Sequence, residues 1–211
     1  PFDGPVSRHF DGTRTVQEFE YDGRRIVLPL MGGMQRRNFQ LAALVVEKLA
    51  PTLGIDPERA FRALANCRWP GRCDQVSERL IVDGGHNPDG IASLCEALKE
   101  TFPGEKFTVV FAGFKDKDVA GGLRLLAELA AWFIFVPLAE SDRPSYSGEE
   151  LIALAKDSGI VADFSAAPDS ASALKLAYAG APRRILAAGS LYLAGEVLAA
   201  SVDPAAVLNL E

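Results

Sequence analysis

Asp83, His86 and Asn87 stand close together in Leu80 to Gly90, LIVDGGHNPDG. A carboxylate, an imidazole and a carboxamide at that spacing offer a small ligand acceptors, donors and a titratable ring. Leu80-Ile81-Val82 is short, apolar and largely β-branched, the pattern of a buried parallel strand. Gly84-Gly85 lets the backbone turn with no Cβ to accommodate. Pro88 suits the first turn of a helix. That helix is predicted over Asp89 to Thr101, with Ile91, Leu94, Cys95 and Leu98 on one face. Ligands of open α/β sheets bind outside the carboxyl ends of strands, where Asp83, His86 and Asn87 fall. Capping of the turn by Asp83 and Asn87 explains the same residue types without a ligand.

Four further stretches carry candidate chemistry. Gln35-Arg36-Arg37-Asn38 follows two glycines at a predicted helix start, where free amides favour anions; an Asn cap with solvated arginines reads equally well. Pro70-Gly71-Arg72 puts a guanidinium just before a strand, and Arg matches phosphate oxygens bidentately; in isolation a surface turn Arg is the simpler reading. Phe111 to Asp118 follows an apolar strand with Lys115 and Lys117, which could hold a carboxylate or phosphate, and with Asp118 as a candidate N-cap. Ala187 to Tyr192 also follows a strand, and Ser190 is placed to cap the last helix. Neither G-x-x-x-x-G-K-[ST] nor G-x-G-x-x-G occurs, so no complete nucleotide cradle is encoded.

The elements that would position these residues fall into two groups. Before Trp69, Thr15 to Tyr21 and Ile26 to Leu30 flank Asp22-Gly23, a strong hairpin signal. Two strands alone are marginal, so the ribbon is expected to belong to a larger sheet and, without it, to be loosely anchored. A helix over Asn38 to Leu49 is apolar on Leu41, Leu44, Val45 and Leu49, and another starts at Asp56-Pro57 and runs to about Ala65. Trp69-Pro70-Gly71-Arg72 reads as a domain boundary. After it, strands are predicted at 73–76, 80–83, 107–112, 132–136, 161–164 and 184–188. Helices fall near 89–101, 118–130, 148–157, 169–179 and 191–200, with a capping box at Ser147 to Glu150. This alternation means a parallel, doubly wound α/β sheet.

Composition narrows the classes. The 211 residues, 48% hydrophobic and 24% charged, suit a globular chain of one large domain or of a domain plus a piece of another. The net charge of −6 argues against nucleic acid. No apolar run reaches the roughly 18 residues of a membrane span, so no membrane partner is expected. Three cysteines without zinc-like spacing suit a reducing compartment, and two histidines exclude a multi-histidine metal site. The start at Pro1-Phe2-Asp3, without Met, reads as a fragment.

QRRN, WPGR, IVDGGHNPDG, VVFAGFKDKD and AGSLYLAGEV, in this order, resemble folylpolyglutamate synthase / dihydrofolate synthase of the Mur ligase superfamily. The resemblance implies that residues 1–68 end a central ATP-binding domain and that 69–211 form the C-terminal, Rossmann-like glutamate-ligase domain. It also implies ATP-dependent ligation of L-glutamate to a folate or dihydropteroate carboxylate through an acyl phosphate, in a cytoplasmic monomer. Asn38 matches the Asn on the ATP base, Arg72 the Arg on the phosphates and Asp83 the Asp on the ribose. His86, Lys117 and Ser190 match positions around the incoming glutamate. The phosphate loop, the Mg2+ ligands, the carbamylated lysine and the pterin loop of the family would lie upstream of Pro1, leaving the fragment inactive. Met34 stands where a His is usual. Two other readings remain: a non-catalytic Rossmann-like module for a small anion or a protein, and a metal hydrolase using Asp83, His86 and Asp89.

Overall fold

The computed structural model describes residues 4–138 and 143–202. The chain start and the end of the expected 69–211 domain lie outside the described residues. Strands β1 (Ser7–Phe10), β2 (Thr15–Tyr21) and β3 (Arg24–Leu28) form an antiparallel sheet in that order. Asp22 and Gly23 both take positive φ, 48° and 71°, as a tight hairpin turn requires. The predicted ribbon therefore gains a third strand, β1, whose sequence SRHF lacks apolar alternation. Helices α1 (Gly33–Leu53) and α2 (Pro57–Ala63) follow, then a 3-10 turn at Leu64–Asn66. Asp56 caps α2 by accepting from the Glu58 amide at 3.0 Å.

Phe19, Ile26, Leu28, Phe39, Ala43 and Phe61 form a small core between this sheet and the helices. The expected apolar face of α1 is not the buried one. Leu41, Leu44, Val45 and Leu49 are 66%, 59%, 49% and 44% exposed, while Gln35, Phe39, Ala43 and Ala50 are buried. The aromatic ring decides the orientation: Phe39 packs edge-to-face on Phe19 and Tyr21 at 5.3 and 5.1 Å. Nor is the ribbon loose, because the Thr15 amide donates to Gln75 Oε1 at 2.8 Å and Met31, just past β3, is buried in the larger core.

The second group comprises β4 (Asp74–Gln75), β5 (Leu80–Val82), α3 (Pro88–Thr101), β6 (Phe107–Phe111), α4 (Val119–Ala127) and β7 (Ala130–Phe135). It continues with α5 (Gly148–Asp157), β8 (Asp163–Ala166), α6 (Ser170–Ala179), β9 (Arg184–Ala188) and α7 (Leu191–Val202). The fold is α/β and Rossmann-like: a six-stranded sheet ordered β4-β5-β9-β6-β7-β8, parallel except for β4. Side chains alternate between two cores, as the pleat dictates. Ile81, Val109, Phe111 and Leu186 meet α3, α4 and α5 on one face; Val82, Val110, Ile185 and Ala187 meet α6 and α7 on the other. The strand expected at 161–164 is displaced to Asp163–Ala166, and Val161 is 95% exposed. Stacking of Phe164 on Phe133, at 6.2 Å, and the Phe133↔Phe164 register set the strand there.

Candidate functional site

β5, β9 and β6 are neighbours, so the loops leaving their carboxyl ends converge. Backbone hydrogen bonds between glycines lace these loops together. The Gly84 amide donates to Gly71 O at 2.8 Å, and the Gly189 amide to Gly85 O at 3.1 Å. Gly189 has φ 106°, and a Cβ there would lie 2.4 Å from the Ala112 carbonyl oxygen. Only glycine satisfies both demands.

Between the start of α1 and the β5–α3 loop lies a cleft of about 290 Å³, lined in part by Gln35, Arg72, Cys73, Asp83, His86 and Asn87. Asp83 is 8% exposed. Its Oδ1 accepts from the Gly85 amide at 2.6 Å and its Oδ2 from the Cys73 amide at 2.8 Å. Burial raises the Asp83 pKa above the ordinary carboxylate value, against those two amides and the Arg72 charge, which pull it down. Cys73 reaches the carboxylate from a left-handed backbone, φ 45°, uncommon for a non-glycine residue. Arg72 is half-buried, and among the described residues its guanidinium has no hydrogen bond or ion pair. The cleft thus holds a fixed carboxylate beside a guanidinium with donors to offer.

A second, smaller cleft of about 90 Å³ adjoins it through His86 and is lined by Phe114, Lys117, Arg143, Ser190, Leu191 and Tyr192. His86 Nδ1 lies 3.1 Å from the Gly84 carbonyl, an oxygen that can only accept, so Nδ1 is the donor of that bond and Nε2 is left to face a ligand. Ser190, buried, accepts from the Tyr192 amide at 3.1 Å and keeps its hydroxyl proton to donate. Lys117 is half-buried and, among the described residues, has no ion pair, whereas Lys115 is paired with Glu150. Arg143 bonds Asp116 and lies 4.3 Å over the Phe114 ring, which meets Tyr192 edge-to-face at 5.4 Å.

All the expected residues from Asp83 onward occupy the predicted sheet edge, but they divide between two clefts that share His86. Asn38 lines neither. It is exposed on α1, and its Nδ2 donates to Gln35 Oε1 at 3.1 Å. The capping alternatives hold as well: Asn87 accepts from the Gly90 amide at 2.8 Å, and Asp83 closes its own turn. Gln35 lay in a stretch already singled out. Arg143 carried no sequence signal. It is brought in because the loop after β6 bonds the 144–146 segment, Lys115 amide to Pro144 O at 2.9 Å and Tyr146 amide to Gly113 O at 3.0 Å. No three His, Cys, Asp or Glu side chains cluster as a metal site among the described residues.

Comparison with known proteins agrees with the fold. The curated folylpolyglutamate synthase of Lacticaseibacillus casei is 32% identical over 136 residues, covering 60% of this chain and 32% of its own. The structure of Thermotoga maritima folylpolyglutamate synthase matches 96% of this chain and 47% of its own, with 25% identity and a TM-score of 0.73. Mycobacterium tuberculosis folylpolyglutamate synthase, complexed with ADP and AMPPCP, matches 93% of this chain and 47% of its own, with 22% identity and a TM-score of 0.70. The chain spans about a third of the length of the curated relative. The family described as Mur ligase, glutamate ligase domain matches residues 71–191, more than half of the sequence, and the chain belongs to that family.

Proposed function

We propose that this chain is the glutamate-ligase end of an ATP-dependent ligase that joins L-glutamate to a folate or dihydropteroate carboxylate. In this reading residues 1–68 close the ATP-binding domain and 69–211 form the glutamate-ligase domain. The observation that carries it is the larger cleft, where a buried Asp83 and a half-buried Arg72 face one space between α1 and the β5–α3 loop. Arg72 takes the nucleotide phosphates, since a guanidinium matches their oxygens bidentately. Asp83 takes the ribose hydroxyls. An ionised carboxylate has about four acceptor positions, and two amides occupy only part of them. By the resemblance Asn38, exposed one turn along α1 from Gln35, would meet the base where it projects beyond the cleft.

The smaller cleft takes glutamate. Lys117 offers an ammonium to its carboxylate, Ser190 a hydroxyl donor, and His86 Nε2 an acceptor for the amine. The reaction of the whole enzyme passes the ATP γ-phosphoryl group to the acceptor carboxylate. The glutamate amine then attacks the acyl phosphate and phosphate leaves, the amine proton passing to solvent or a base. Two clefts meeting at His86 would bring the amine to the phosphorylated carboxylate, and positioning supplies much of such a rate. The described residues contain no cluster suited to Mg2+, so no step here is assigned to the metal. By the resemblance, its ligands and the phosphate loop belong to the ATP-binding domain. The partners are small molecules, and the setting is a cytoplasmic monomer.

Two assays test the reading. ADP titration of the chain by calorimetry should show binding that Arg72→Ala weakens. ADP release with glutamate and a reduced folate should be undetectable for this chain alone and present for a full-length relative. Folate-dependent turnover by the chain near the full-length rate, or nucleotide binding indifferent to Arg72→Ala, would overturn it.

A further inference from the structure

The two walls of the larger cleft are joined at one end by an arginine–glutamate–arginine cluster. Glu100, one turn beyond Ala97 on α3, accepts from Arg36 Nη2 of α1 at 2.7 Å and from Arg8 of β1. The three side chains are only 15–28% exposed. Arg36 also donates to Gln17 Oε1, and Gln17, fully buried, donates to the carbonyl oxygens of Leu30 and Gly32 (the latter at 3.2 Å). The same corner is tightly packed. A Cβ on Gly32 would sit 2.5 Å from Ala97 Cβ, and Gly32 has φ 91°. Gln35 and Ala97 both line the cleft. The residues that set the corner are thus immediate neighbours of those that face the ligand.

We propose that Glu100 is a positioning residue that clasps α1 and β1 onto α3 and so fixes the width of the larger cleft. Its role in nucleotide binding rests on the reading given above; the clasp itself does not. Arg8 and Arg36 are like charges held together at a half-buried site. Burial and the Arg36 charge lower the Arg8 pKa, and Glu100 opposes both. An uncharged residue at position 100 leaves two neighbouring guanidiniums with no counter-charge, and a half-buried pair of that kind separates or hydrates. Separation moves the start of α1 away from α3, because Gln17 and Gly32 hang on the same network. Charge-assisted bonds of this type are the strong ones, which makes the corner a single lock.

The test compares Glu100→Gln, nearly isosteric but neutral, with Glu100→Asp, which keeps the charge. Glu105→Gln is the control, since it breaks an ion pair with Arg184 that involves neither Arg8 nor Arg36. Amide exchange measures local opening without any ligand. In Glu100→Gln, exchange at 32–36 and 97–101 should rise about tenfold, with ADP binding weakened about tenfold. Glu100→Asp should recover most of both, and Glu105→Gln should move neither. Unchanged exchange at 32–36 in Glu100→Gln, or an equal rise in Glu105→Gln, overturns the clasp. Faster exchange with unaltered ADP affinity overturns its hold on the cleft. If the wild-type chain fails to bind ADP, the nucleotide reading falls while the exchange data still decide the clasp.

Discussion

The two clefts that meet at His86 are built on different principles. The larger lies at a seam: α1 and the Arg72 turn form one side, and the β5–α3 loop forms the other. Its key carboxylate is buried and held by two backbone amides. The smaller lies within one unit, among loops that follow β5, β6 and β9 together with Arg143, and its cations are half-buried or exposed. A site at a seam can be opened or closed by moving one wall, whereas a site within a sheet edge keeps its geometry. The larger cleft suits a ligand that must be enclosed for reaction. The smaller suits one held by charge at a fixed place.

The substitution with the largest expected effect removes both clefts at once. Gly189→Ala meets a carbonyl oxygen and an adverse φ, so it should cost well over about 1 kcal/mol in urea unfolding. A loss below that would mean the glycine lacing does not hold the loops. Arg72→Ala should separate the clefts. ADP affinity should fall about tenfold to a hundredfold, the scale of a charged hydrogen bond, with amide shifts around Lys117 and Tyr192 on glutamate addition unchanged. Lys117→Ala should do the reverse, sparing ADP affinity and removing those glutamate-dependent shifts.

The burial of Asp83 predicts a pH signature confined to the larger cleft. Its folded-state pKa lies above the ordinary value, so its contribution to stability is fully present below about pH 3.9, the unfolded reference, and is lost as pH rises through the folded value. Wild type should therefore lose stability relative to Asp83→Asn as pH is raised from about 4 to about 7, measured by urea midpoints. The opposite slope would mean the carboxylate is stabilised as the anion. The smallest effect belongs to Leu44→Gln, outside both clefts. At 59% exposure it should change stability by no more than about 0.5 kcal/mol.

Much of this was legible in sequence. The strands near 80, 107 and 184 and the capping box at Ser147 are local patterns, and local patterns survive folding. The carboxyl-edge placement of Asp83, Lys117 and Ser190 follows from parallel topology alone. What could not be read was non-local. The Leu41, Leu44, Val45 and Leu49 stripe has good helical spacing, yet Phe39 turns α1 the other way through its contacts with Phe19 and Tyr21. Arg36 looked like an anion-binding residue, but Glu100, 64 positions on, holds it. Arg143 enters the smaller cleft only through pairing between two loops. The division into two clefts depends on depth and spacing, which strand order does not specify.

The most direct test of the account is a pair of titrations followed residue by residue in 15N-labelled protein. ADP should shift the amides of Cys73, Gly84, Gly85 and Asn87 and leave those of Lys117 and Tyr192 in place. Glutamate should shift Lys117 and Tyr192 and leave Cys73 unmoved. ADP acting on the Lys117 and Tyr192 amides while Cys73 and Gly85 stay unmoved would contradict the assignment of the nucleotide to the cleft of Arg72 and Asp83.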